Sequence, residues 1–313
     1  MRKKGFEFSF AWLFAVVVGA IIIFFAIYFA IKLIGTKEYE ISTITAKQLS
    51  IIFEPLEVGL ASGKSSIAGL REETRIYNRC FSEGSFGKQK FSLARKGFGN
   101  KWTKEGGDIS ITNKYIFSNS SEDGRVIYFF SKPFEMPWKV SEIIFLSTNG
   151  YCFINAPEEI RDEVSGLNLQ NIKIENCTDK EIKVCFGQGN CDIKVTGACL
   201  DYDCESEYDY GFVEKDKEKV FYTGSLIYAA IFSDKEIYEC NIKRLISRLV
   251  QQALIYMDES SFLTGKCGSL PETSLLQIAN IARSLKDSED LILIKTAAEN
   301  ADRENEASEC KLW

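Results

Sequence analysis

The chain has 313 residues, with 38 lysines and arginines against 44 aspartates and glutamates, ten cysteines and no histidine. A phosphate backbone would want a basic face, so a net charge of −6 disfavours a nucleic-acid partner. The lack of histidine excludes Ser-His-Asp, Cys-His and histidine–metal chemistry.

The first element is one apolar run from Phe8 to Ile34, free of charge as far as Ile31. As a helix it spans roughly 40 Å, more than the ~30 Å hydrocarbon core of a bilayer. Trp12 and Tyr28 stand near its ends, where amphipathic rings favour headgroups, and Lys32 can snorkel outward. Arg2, Lys3 and Lys4 precede the run, which predicts a cytoplasmic N-terminus. The run is too long for the apolar part of a cleaved signal and lacks a small-residue cleavage site. It therefore reads as an uncleaved signal anchor.

Residues 36 to about 54 continue as a helix, with Ile41, Ile44, Leu49, Ile52 and Phe53 roughly on one stripe. Pro55, Gly59 and Gly63 mark its end. This segment reads as a stalk that packs on the following domain or, with the anchor, associates with a second copy. Residues 65 to 148 read as β-structure, with strands expected at Ser66–Tyr77, Lys88–Arg95, Asp108–Phe117 and Arg125–Ser131. Asp123-Gly124 between the last two predicts a tight hairpin.

Tyr151–Ile154 predicts a short strand. Pro157-Glu158-Glu159 carries helix-start chemistry, with Ile160 and Val164 as the apolar face and Gly166 as the stop. A strand returns at Asn171–Glu175, which makes a β-α-β unit and a partly parallel sheet. Glu181–Phe186 and Cys191–Thr196 read as a hairpin about Gly187-Gln188-Gly189-Asn190. The C-terminal third is helical. Ser233 with Glu236 forms a capping box, followed by Ile237, Ile242, Leu245, Leu249, Ala253 and Met257 at helical spacing. Ser269, Pro271 and Glu272 open a second helix with Leu275, Ile278, Ile281 and Leu285, and a third covers Glu289 to Asn305. The fold class is mixed α/β (α+β): a transmembrane helix, a mainly β section with one β-α-β unit, and a helical end.

All ten cysteines follow the anchor, a density that suits an oxidising exterior. Cys185–Cys191 is expected across the Gly-Gln-Gly-Asn turn and Cys199–Cys204 across a short loop, while Cys240 has Cys267 or Cys310 as partner. With no histidine and no Cys-x-x-Cys pair, no metal is expected. The acidic loop Asp201 to Gly211 alternates carboxylates, but Ser206 stands where a calcium loop needs glycine, so it reads as a solvated loop. Gly59-Leu-Ala-Ser-Gly63-Lys64-Ser65 is one residue short of a phosphate-binding loop. Ser85-Phe-Gly-Lys88 has serine–lysine nucleophile spacing without its companion elements. The sequons at Asn119 and Asn176 agree with an exterior location. Two segments offer surface contacts for a glycan, a partner or headgroups: Phe134, Met136 and Trp138 in a proline-framed loop, and Phe98 and Trp102 in a basic-aromatic stretch.

Arg2-Lys-Lys-Gly5-Phe6 before a long apolar helix resembles the class III signal of type IV pilins. That resemblance implies cleavage between Gly5 and Phe6 and a helix packed into a filament core. Lys4-Gly-Phe-Glu-Phe-Ser-Phe-Ala-Trp-Leu-Phe14, Val184-Cys-Phe-Gly-Gln-Gly-Asn-Cys-Asp-Ile193 and Glu309-Cys-Lys-Leu-Trp313 resemble a group of single-pass membrane proteins from small-genome archaea. This second resemblance implies the architecture and no activity.

The organisation expected is a cytoplasmic tail (1–7), a transmembrane helix (8–34), a helical stalk (35–60) and an extracytoplasmic disulfide-bonded domain (61–313) with sub-lobes at 61–224 and 225–313. The function expected is binding or assembly at the cell surface. Its partners are the bilayer through residues 8–34, a surface protein or glycan, and a second copy through anchor and stalk. No catalytic residue and no cofactor is indicated. The alternatives are a pilin-like filament subunit and a carboxylate-based extracytoplasmic hydrolase.

Overall fold

The structure is a computed structural model that describes residues 10–57, 65–198, 207–267 and 270–313. Helix α1 (Phe10–Glu57) runs unbroken for 48 residues, about 72 Å at the usual helical rise. It is the one helix among the described residues long and apolar enough to cross a membrane. Its first half exposes Phe14, Ile22, Phe24 and Phe29 among other large apolar side chains. Its last turns bury Ser42, Ala46, Leu49 and Phe53, spaced so that they share one helical face. The expected stripe is corrected here: Ile41 and Ile44 are exposed, and the buried stripe is rotated by about a residue toward the small side chains of Ser42 and Ala46. These let the helix approach the strands closely, and a Cβ at Gly106 would lie 2.8 Å from that of Ser42. The helix also passes through Pro55, because a proline near the end removes few intrahelical bonds.

The first sheet holds β1 (Ser65–Phe81), β2 (Lys88–Arg95), β3 (Ile109–Ile111), β4 (Tyr115–Phe117), β5 (Ser121–Glu135) and β6 (Lys139–Ser147) in the order β3-β2-β1-β5-β6-β4. All neighbours are antiparallel except β4 and β6. Side-chain alternation assigns its two faces. Ile127 and Phe129 of β5, and Ile144 and Leu146 of β6, meet Leu49 and Phe53 of α1 in one core. Phe130 of β5, with Ile143 and Phe145 of β6, belongs to a second, larger core.

The expected strand Asp108–Phe117 is broken at Thr112–Lys114 into β3 and β4, which lie on opposite edges. Four peptide steps from Ile111 to Tyr115 reach about 15 Å at most, whereas the edges of a flat six-stranded sheet stand about 24 Å apart. The sheet is therefore curled, with the end of α1 seated against one face. The expected hairpin at Asp123-Gly124 is absent, since both residues lie inside β5. Gly124 is needed there because a Cβ would come within 2.7 Å of Thr148.

The second sheet holds β7 (Tyr151–Ile154), β8 (Ile172–Ile174), β9 (Ile182–Phe186), β10 (Ile193–Ala198), β11 (Tyr210–Lys215) and β12 (Glu218–Thr223) in the order β12-β11-β10-β9-β7-β8. Helix α2 (Glu158–Gly166) connects the parallel pair β7 and β8, so the β-α-β unit is present. Strands β9 and β10 are parallel rather than a hairpin. Only three residue pairs overlap, so the return path is about 10 Å, which six residues can span.

Helices α3 (Leu226–Phe232), α4 (Lys235–Cys267), α5 (Glu272–Arg283) and α6 (Leu291–Ala307) complete the fold. Asp234, not Ser233, caps α4: its Oδ1 accepts from the Ile237 N–H at 3.0 Å. The Ser233 hydroxyl donates to the Ala229 carbonyl instead. Ser269 lies outside the described residues. Apolar side chains of α3 to α6 fill the larger core between the two sheets.

Candidate functional site around Arg244

Helix α4 carries a charge where its apolar stripe requires none. Arg244 is fully buried, beside Ile242 and Leu245. Its Nε donates to the Phe86 carbonyl at 3.1 Å and its Nη2 to the Thr112 carbonyl at 2.8 Å. Its Nη1 donates to Gln89 Oε1 at 3.0 Å and Asn241 Oδ1 at 2.7 Å. The guanidinium also lies 4.9 Å from the centre of the Tyr115 ring. All four hydrogen-bond acceptors are neutral. Loss of water pushes its pKa down to about 10, so the group stays charged at neutral pH. Burying an ion costs several kcal/mol, offset here by this set of charge-assisted bonds.

The network continues into the curled sheet. The Gln89 amide donates to the Ile116 carbonyl at 2.7 Å and accepts from the Ile116 N–H at 2.9 Å. One side chain thus does what a neighbouring strand would do for the free edge of β4. Asn241 and Asn78 donate to the same carbonyl. A disulfide between Cys80 and Cys240 fixes β1 to α4 one turn before Arg244. Gly87 has φ +56°, and a Cβ there would meet Arg244 Cγ at 2.9 Å. The β1–β2 loop is therefore held against α4 by an arginine, a disulfide and a glycine.

Beside this network lies an open cleft of about 400 Å³ between the β1–β2 loop, α4 and the end of α5. Ser82 and Ser85 come from the loop, Lys243, Ser247 and Gln251 from α4, and Arg283 from α5. Ile246, Val250 and Leu285 add an apolar part.

The predicted contact residues fall elsewhere. Phe134, Met136 and Trp138 are buried, which corrects their reading as surface contacts. Trp138 packs 4.8 Å from Tyr256 and 5.0 Å from Trp313, and its indole N–H donates to Gln252. The proline-framed loop is apolar because the C-terminal residues cover it. Trp102 is half-buried, with the Arg75 guanidinium over its ring at 4.5 Å. The side chain of Phe98 lies outside the described residues, as do Gly5, Phe6, Cys199, Cys204, the loop from Asp201 to Ser206 and the segment 58–64.

Cys185 is bonded to Cys191 and Cys267 to Cys310. The partner of Cys240 is Cys80, not Cys267 or Cys310, and Cys152 pairs with Cys177. Ser85 lines the cleft while Lys88 does not. Asn119 donates inward to buried Glu122 at 2.6 Å, and Asn176 is exposed. Glu122 also accepts from Thr148 and Asn149, and burial raises its pKa above the usual carboxylate value. Sequence reasoning missed Arg244, Asn241, Gln89 and Asn78. Polar side chains at positions 241 and 244 of an otherwise apolar helical stripe are the one local signal that pointed to them.

No family model, curated protein or solved structure matches this chain.

Proposed function

We propose that this protein is a membrane-anchored domain that acts by binding or assembly outside the cytoplasm. The observation that carries this reading is the continuity of α1. One helix exposes an apolar half to its surroundings and buries one face of its last turns in the core of the first sheet. Such a helix transmits the orientation of the bilayer to the domain without a flexible linker. The four disulfides among the described residues support an oxidising compartment. Intact mass of the membrane-extracted protein, after thiol blocking without reductant, tests this reading. No blocked thiol is expected at the eight cysteines of these bridges. Blocking at most of them in the folded protein would contradict the compartment.

A filament subunit is the second reading. The exposed part of α1 is longer than a bilayer requires, and its apolar surface can pack against α1 of other copies. It predicts a mature N-terminus at Phe6 and high-order association, and a mass that begins at Met1 would remove it.

A further inference from the structure

The cleft beside Arg244 is lined by two cations and, among the described residues, by no acid. Lys243 and Arg283 line it, and neither makes an ion pair or hydrogen bond with another described residue. Buried Arg244, the next residue after Lys243, is bonded only to neutral oxygens. Two cations thus line one cleft, beside a third that is buried, in a chain whose net charge is −6. Glu83, the nearest acid in the β1–β2 loop, is exposed and does not line the cleft.

Simpler accounts cover only part of this. Arg283, in the last turn of α5, complements the helix dipole. Lys243 lies two turns into α4 and has no such role. The hydroxyls of Ser82, Ser85 and Ser247 and the amide of Gln251 also line the cleft without partners among the described residues. The wall that carries Ser82 and Ser85 is fixed by Arg244 and by the Cys80–Cys240 bridge. Donors on a braced wall beside two cations are what recognition of an oxyanion needs. The apolar contribution of Ile246, Val250 and Leu285 provides for an organic body attached to that group.

We propose that this cleft binds a small organic phosphate monoester. Its phosphate lies between Lys243 and Arg283 and accepts from the serine hydroxyls, and its organic part rests on Ile246, Val250 and Leu285. This inference does not depend on which side of a membrane the domain occupies.

Isothermal titration of the full chain in detergent, at constant ionic strength, with phenyl phosphate and with inorganic phosphate, tests it. Saturable one-site binding is expected, tighter for phenyl phosphate. Lys243→Gln and Arg283→Gln are each expected to weaken it about tenfold, the effect of losing one charge-assisted contact. Lys104→Gln, in the loop whose Gly106 packs on α1 and outside the cleft, is expected to leave binding unchanged. Both cleft cations are exposed, so their variants should unfold at the wild-type temperature, which a melting curve verifies. No saturable binding of either probe, or binding that survives the double substitution, would overturn the proposal. Tighter binding of inorganic phosphate than of phenyl phosphate would overturn the part assigned to the apolar floor.

Discussion

Arg244 shows how one residue can set the shape of a region. Its four bonds join α4 to the β1–β2 loop, to the turn after β3 and to Gln89. A lysine has no planar fork to reproduce them. Arg244→Met is expected to leave the carbonyls of Phe86 and Thr112 and the oxygens of Gln89 and Asn241 without this donor, at a cost of about 3 kcal/mol or more. Urea unfolding of the full chain measures it. The partners of Arg244 stand 132 to 158 residues away in sequence, except Asn241. No local pattern could reveal them, and only the intrusion of charge into an apolar stripe was legible.

Glu181 gives a residue-scale test in pH. It accepts from Lys173 Nζ and from the backbone and hydroxyl of Thr178, which lower its pKa to about 2. The folded value lies below the unfolded one, so the contribution to stability is present above pH 4.5 and is lost as pH falls toward 2. Glu181→Gln should therefore melt below wild type at pH 7, and the two curves should converge as pH approaches 2.

At the scale of elements, α1 divides into parts with different sensitivities. Phe53 is fully buried, 5.5 Å from Phe129 and 5.8 Å from Phe91 between ring centres. Ile51, two residues before it, is 54% exposed. Phe53→Ala is expected to destabilise the domain by about 3–5 kcal/mol, and Ile51→Ala by about 0.5 kcal/mol or less. Denaturant titration of each variant separates them, and equal effects would show that the helix does not seat as described. Elements with a strong local pattern were legible in the sequence. The expected bounds of β2 and β7 coincide with the observed strands, and Pro157 and Gly166 frame α2. Elements whose form depends on distant contacts were not. Asp123-Gly124 has the composition of a turn, yet Thr148, just past the end of β6, requires the glycine inside β5. The loop between β9 and β10 has the length of a hairpin connection, but the chain doubles back to a parallel partner.

At the scale of the whole molecule, covalent bonds join what the chain separates. Cys80–Cys240 closes a span of 160 residues, worth about 5 kcal/mol in the chain-entropy account, and ties the first sheet to α4. Cys267–Cys310 and the Trp138–Trp313–Tyr256 cluster secure the C-terminal end to α4 and to Trp138 of the proline-framed loop. The long apolar helix, the cysteine-rich part and the mixed fold class were legible because hydropathy, composition and periodicity are properties of the chain itself. The curled sheet, the Arg244 network and the cleft were not, because each is made by segments far apart in sequence.

We propose that α1 holds this domain on the outer side of a membrane. Treatment of intact cells with a membrane-impermeant amine reagent, followed by peptide mapping, tests it most directly. The exposed lysines Lys101, Lys104 and Lys194 are expected to be labelled without lysis. Labelling of these lysines only after the membrane is broken would contradict the account.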